Sequence, residues 1–147
     1  MTTQNVPMGR QQPWVRIGPD GTEVVADTLF ELVGPEWFDD LARRFYEGVA
    51  GDPVLRPLYP DDLTGPIGRL AGFLRQYWGG PADYSAERGH PRLRMRHAPY
   101  AIASLQRDAW LACMSAAVAG GGLTRSAELA VMDYFLNAAE HLVNAPD

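Results

Sequence analysis

The chain has very little thiol chemistry available to it. Of its 147 residues one is cysteine, Cys113, so a disulfide framework and a multi-thiolate metal cluster are both excluded. Long apolar runs are missing as well. No stretch approaches the roughly 20 residues that a membrane-spanning helix needs. The opening MTTQNVPMGRQQPW carries no apolar signal core, so the expectation is a cytoplasmic protein without a membrane partner. Positive charge is in deficit: 13 Lys and Arg against 18 Asp and Glu leave a net −5. That balance lends no support to a nucleic-acid partner. There is no GxSxG, no phosphate loop, no GxGxxG and no CxxC. The three histidines, His90, His97 and His141, contain no pair at a spacing of three or four, which removes a helical zinc site.

What is present is helical periodicity in a chain the size of one domain. Residues 1–27 read as an N-terminal extension rich in Pro and Gly. Within it VRIGPDGTEVV has a turn at Pro19-Asp20-Gly21 that can close a small hairpin, and a flexible arm and a surface-packed one both stay open. Residues 28–147 form the domain. Thr28 and Glu31 match a capping box for a short helix that stops at Gly34-Pro35. The spacing of Phe38, Leu41, Phe45 and Val49 predicts a helix over 36–50. A further helix is expected from Thr64, as N-cap, to about 78, with Leu70, Phe73, Leu74 and Tyr77 as its buried stripe. Residues 82–101 read as loop with a short helix at 91–97. Two long helices follow over 103–119, with Trp110, Cys113, Met114 and Ala117 in register, and 124–144, with Leu129, Met132, Phe135, Leu136, Ala139 and Leu142 as the stripe. The fold class is therefore all-α.

Some apolar faces carry residues that a plain bundle does not need. Tyr46, Tyr59 and Trp110 each bring a large apolar body with one polar atom that wants a partner. Simple packing with a local hydrogen bond explains each of them separately. His97 follows Leu93 by four residues and precedes Ala98-Pro99, which places it inward at the end of a short helix. A lone inward histidine is more often hydrogen-bonded core than ligand. Cys113 reads as an inert core thiol, Asp39-Asp40 and Asp61-Asp62 as solvated surface, His90 as part of a turn, and Arg92 and Arg94 as solvated cations. Periodicity and composition stop at that point.

The segment FLRQYWGGPADYSAERGHPRLRMRHAPYAIASLQRDAWLACM (73–114) resembles the second group of truncated haemoglobins. RRFYEGVAGDPVLRPLYP (43–60) and DYFLNAAEHLVNAP (133–146) match the same family, and the likeness covers residues 28–146. It implies a shortened globin fold, two helices over two around a haem b. It implies His97, in RMRHAP, as the iron ligand, with the other ring N–H given to a nearby acceptor. The family's distal residues correspond to Tyr46, Tyr59 and Trp110, with apolar Leu70 over the haem. Arg69 is the implied propionate partner, and Arg96 and Tyr77 are weaker ones. One departure stands out. The position of a distal histidine in ordinary globins corresponds to Pro66, which has no donor at all. The implied ligands are O2, NO, CO or peroxide. Two functions stay open: O2 storage, transport or sensing, and a redox activity of the nitric oxide dioxygenase or peroxidase kind. These residues hold no reductase signature, so turnover calls for an external electron donor. Monomer and homo-oligomer are equally open.

Overall fold

Thr28 opens the first helix with the expected chemistry: its hydroxyl oxygen accepts the Glu31 N–H at 3.0 Å, and the Glu31 carboxylate accepts the Asp27 N–H at 2.8 Å. The structure, a computed structural model, describes residues 13–147. Residues 1–12, the first part of the expected extension, lie outside the described residues. Two strands, β1 (Val15–Ile17) and β2 (Glu23–Val25), pair antiparallel as a hairpin with Arg16 opposite Val24. Trp14 packs on the core and the Ala26 N–H donates to its carbonyl, so this segment lies on the domain surface.

Seven helices follow: α1 (Leu29–Val33), α2 (Pro35–Ala50), α3 (Thr64–Tyr77), α4 (Asp83–Arg88), α5 (Leu93–His97), α6 (Ser104–Ala119) and α7 (Arg125–Leu142). Four of them are long. α2 packs on α3, α6 on α7, and the two pairs meet where α2 crosses α6. Phe38, Leu41, Phe45 and Val49 are buried at that centre, as the α2 periodicity requires, together with Ala42 and Tyr46. Among the described residues no helix is long and apolar enough to cross a membrane.

Several expectations need correction. Pro35 both ends α1 and starts α2, since its missing N–H is an orphan in a first turn anyway. α3 is preceded by Leu63, not capped by Thr64. Asp62, at the surface as expected, accepts the Thr64 N–H at 2.9 Å. Helix α4 falls in a stretch where loop is expected. The stripe of α7 is displaced: Ala127, Val131, Phe135 and Ala139 are buried, whereas Leu129 and Leu136 are more than half exposed. α7 ends at Leu142, because Asn144 is drawn off to another partner. In α3 the buried positions are Pro66, Ala71 and Leu74, and Tyr77 is exposed. Leu70, Phe73 and Trp110 are only half-buried because they face a cavity rather than packed side chains.

Candidate functional site

A cavity of about 530 Å³ lies between α3, α5, α6 and α7, within the size range of cofactor sites. Tyr46, Tyr59, Pro66, Arg69, Leu70, Arg96, His97 and Trp110 all line it. Eight of the nine residues singled out from the sequence are thus brought to one place. Tyr77 is not; its ring stacks on Tyr134 at 4.2 Å, outside the cavity.

His97 ends the short α5. Its Nδ1 is 2.6 Å from the carbonyl oxygen of Leu93, one turn earlier. A carbonyl can only accept, so Nδ1 carries the proton and Nε2 keeps its lone pair. The loop after His97 is clamped by the chain end. Asn144 donates to the carbonyls of His97 (3.3 Å) and Tyr100 (2.9 Å) and accepts the Ile102 N–H at 2.8 Å. Arg94, exposed as expected, also donates to the carbonyls of His141 and Val143, the second at 3.2 Å, and so caps α7. Arg96 gives its donors to the carbonyls of Pro91 (2.6 Å) and Arg88 (2.8 Å), which staples the loop between α4 and α5. His90 accepts the Arg92 N–H at 3.2 Å, and Arg92 adopts left-handed φ of 45° to enter α5.

The opposite wall is phenolic. Tyr46 is only 7% exposed and meets the Tyr59 ring edge-on at 5.3 Å. Burial first, then the Tyr59 phenol, pushes the Tyr46 phenol far above its ordinary value; the Arg69 charge opposes this. Burial pushes Tyr59 up to about 12, against hydrogen-bond contributions from the Tyr46 hydroxyl and the Trp110 indole N–H. The polar atoms of Tyr46 and Trp110 thus both lie beside the Tyr59 hydroxyl. Arg56, which no sequence pattern marks, fixes the loop behind it by donating to the carbonyls of Tyr59, Pro60 and Asp61 at 3.0–3.2 Å. The Arg69 guanidinium lies over Gly65, where an added Cβ would stand 3.0 Å from Nη1. Arg69 makes no ion pair among the described residues. Arg88 and Arg107 also line the cavity. Arg88 escapes sequence patterns because α4 is too short to show a period, and Arg107 pairs with Glu140 at 2.7 Å and Asp108 at 3.0 Å. Cys113 is half-buried, with its sulfur against Gly48. Burial and then the Asp52 charge push its thiol up, which keeps it protonated and unreactive.

Among the described residues, no three His, Cys, Asp or Glu side chains gather to hold a metal ion. One imidazole with a spare lone pair suits a metal that brings most of its own ligands, which is the chemistry of a porphyrin iron. The apolar walls, the single imidazole and the arginines lining the cavity fit a flat macrocycle with anionic edges.

The family described as bacterial-like globin matches residues 28–144. The group 2 truncated hemoglobin YjbI of Bacillus subtilis (strain 168) is 41% identical over 115 residues, spanning 78% of this chain and 87% of that protein. The chain belongs to the group II truncated haemoglobins. A thermostable hemoglobin from the actinobacterium Thermobifida fusca superposes on this globin with a TM-score of 0.79 at 54% identity, over 82% of this chain and 99% of that one. A truncated oxygen-avid haemoglobin from Bacillus subtilis does so with a TM-score of 0.76 at 40% identity, over 80% and 99%. The architecture of this globin is thus the two-over-two helical sandwich of its family, a family that binds haem and, through it, small diatomic ligands.

Proposed function

We propose that this globin holds haem b through His97, grips a diatomic ligand with Tyr46, Tyr59 and Trp110, and is built for chemistry on oxygen rather than for carriage. The reading rests chiefly on the gathering of Tyr46, Tyr59 and Trp110 in the same cavity that His97 lines, with the two phenol rings in edge-on contact. When bound, haem would supply an iron able to bind and polarise a small diatomic ligand. The single cysteine leaves no pair of thiols for covalent attachment, which favours the non-covalent haem b. His97 presents Nε2 and spends Nδ1–H on Leu93, a bond that fixes the ring and raises its basicity. Arg69, without an ion-pair partner among the described residues, would hold a propionate; Arg96 keeps its donors on the backbone and serves as a staple.

On the opposite side the three polar residues do unequal work. The Tyr59 hydroxyl, beside the polar atoms of Tyr46 and Trp110, would donate to the ligand. The other two aim and polarise it, and Trp110 can turn its N–H to the same ligand. Pro66 lines the cavity without a donor. Two neutral hydrogen bonds to a polarised ligand are worth about 2–3 kcal/mol, or roughly a 30- to 150-fold slower release. Slow release favours reaction of O2 with NO, or turnover of peroxide, with electrons from an external donor. The oxygen-avid relative is in keeping with this. Storage, transport or sensing is the competing use. Stopped-flow measurement of O2 release from the ferrous protein decides between them: release far slower than milliseconds supports the proposal, and release within milliseconds overturns it.

A further inference from the structure

Tyr134 occupies two environments. Tyr134 and its neighbour Phe135 line the haem-sized cavity. On its other side Tyr134 stacks on Tyr77 with ring centroids 4.2 Å apart and planes 30° from parallel. Trp78 closes the group, 5.1 Å from Tyr134, 5.2 Å from Tyr77 and 5.6 Å from Phe135. Tyr77 is 51% exposed, whereas Trp78 is 8% exposed. Every ring from the cavity wall to solvent is thus in contact with the next, and the outermost one carries a phenol open to water.

A stacked, exposed tyrosine gives little to stability, and a leucine would cover the same surface. Phenol and indole are the side chains that can lose one electron and regain it. Their π systems, in contact, can share the resulting positive charge. We propose that Tyr134, Trp78 and Tyr77 form an electron relay from the surface to the cavity, with Tyr77 the place where a small phenol or hydroquinone is oxidised. This rests on the haem reading above and supplies the entry point for its external donor.

Tyr77 sends one electron inward through Tyr134 and releases its phenol proton to water, becoming a neutral phenoxyl radical. A phenol or hydroquinone at the surface then returns a hydrogen atom to Tyr77 and leaves as its own radical. Two such events, with two protons taken up at the cavity, reduce one hydrogen peroxide to two waters. The hole settles on Tyr77 rather than the partly buried Tyr134 because Tyr77, half exposed, gives its proton to solvent more readily. Burial first, and the Tyr77 phenol second, hold the Tyr134 proton on, with its phenol pushed up to about 12. Tyr100 is the competitor: it lines the cavity and is 47% exposed, but forms no ring contact among the described residues.

The test uses the full haem-loaded chain, hydrogen peroxide and a nitroso spin trap, with adducts mapped by peptide mass spectrometry. The expected adduct sits on Tyr77. It is lost in Tyr77→Phe and falls several-fold in Tyr134→Phe, while the CO spectrum of each variant checks that the haem site has formed. Oxidation of a hydroquinone too bulky for the cavity falls with it. Peroxide consumption with adducts confined to Tyr100, Tyr46 or Tyr59 overturns the relay and leaves the haem reading standing. A chain with no haem spectrum and no peroxide consumption overturns both.

Discussion

The His97 Nδ1–H donates to the Leu93 carbonyl across 2.6 Å, within a helix only five residues long. So short a helix cannot hold a ring by itself. Its stiffness is borrowed from the chain end, where Asn144 binds the carbonyls of His97 and Tyr100 and Arg94 binds those of His141 and Val143. Asn144→Ala removes three hydrogen bonds around this loop. It is expected to weaken the native state by about 1–3 kcal/mol and to hasten haem loss, measured by transfer to an excess of a haem-free acceptor globin. An unchanged transfer rate would show that the clamp does not support the histidine.

The proposed role of Tyr46, Tyr59 and Trp110 makes a prediction about ligand release. Trp110→Phe keeps most of the ring packing against Phe45 and Phe135 and deletes one N–H. O2 release should accelerate by about five- to twelvefold, the worth of one neutral hydrogen bond. His90→Gln, in a turn remote from the phenols, should leave the rate as it is. Equal rates in the two variants would reduce Trp110 to packing.

Alkali provides another handle. The Tyr59 phenol ordinarily titrates at 10 and is pushed up to about 12 by burial. A raised value in the folded chain means that the neutral phenol stabilises the fold. That contribution is whole below pH 10 and is lost as pH climbs towards 12, and the gap corresponds to about 3 kcal/mol. Tyr46 and Tyr134 act in the same sense. Urea unfolding of Tyr59→Phe should therefore lose less stability than the wild type between about pH 9 and about pH 11.5. Parallel losses would contradict it.

Backbone geometry predicts a stability contrast. Gly79 has φ of +106°, and an added Cβ would lie 2.6 Å from the Thr28 side chain that caps α1. Gly79→Ala should cost about 2–4 kcal/mol in urea or thermal unfolding. Gly68 sits in the middle of α3, and a methyl group added there would meet nothing within 4 Å. The same substitution at Gly68 should gain up to about 1 kcal/mol. Equal effects would refute the steric explanation.

Much of the fold was legible because α2 repeats large apolar residues at its proper period and the cap at Thr28 uses the ordinary side chain. The α7 stripe was less so. Its buried positions are Ala127, Val131, Phe135 and Ala139, and the small ones among them are less conspicuous than Leu129 and Leu136, which face out. α4 has six residues between glycines and prolines, too short for periodicity to register. At the site, periodicity could turn His97 inward but could not reveal its Nδ1 partner or a cavity, since an empty volume has no residue to mark it. Family resemblance gathered Tyr46, Tyr59 and Trp110, which line one cavity. The roles of Arg56, Arg94 and Asn144 depend on carbonyl contacts that no local pattern encodes.

The absorption spectrum of His97→Gly beside that of the wild type, each loaded with haem and reduced under CO, bears most directly on the assignment of His97 as the iron ligand. A sharp Soret band is expected in the wild type, with its loss or shift in His97→Gly and its return on adding free imidazole to fill the space left by the side chain. A His97→Gly protein whose CO spectrum matches the wild type without imidazole would contradict that assignment.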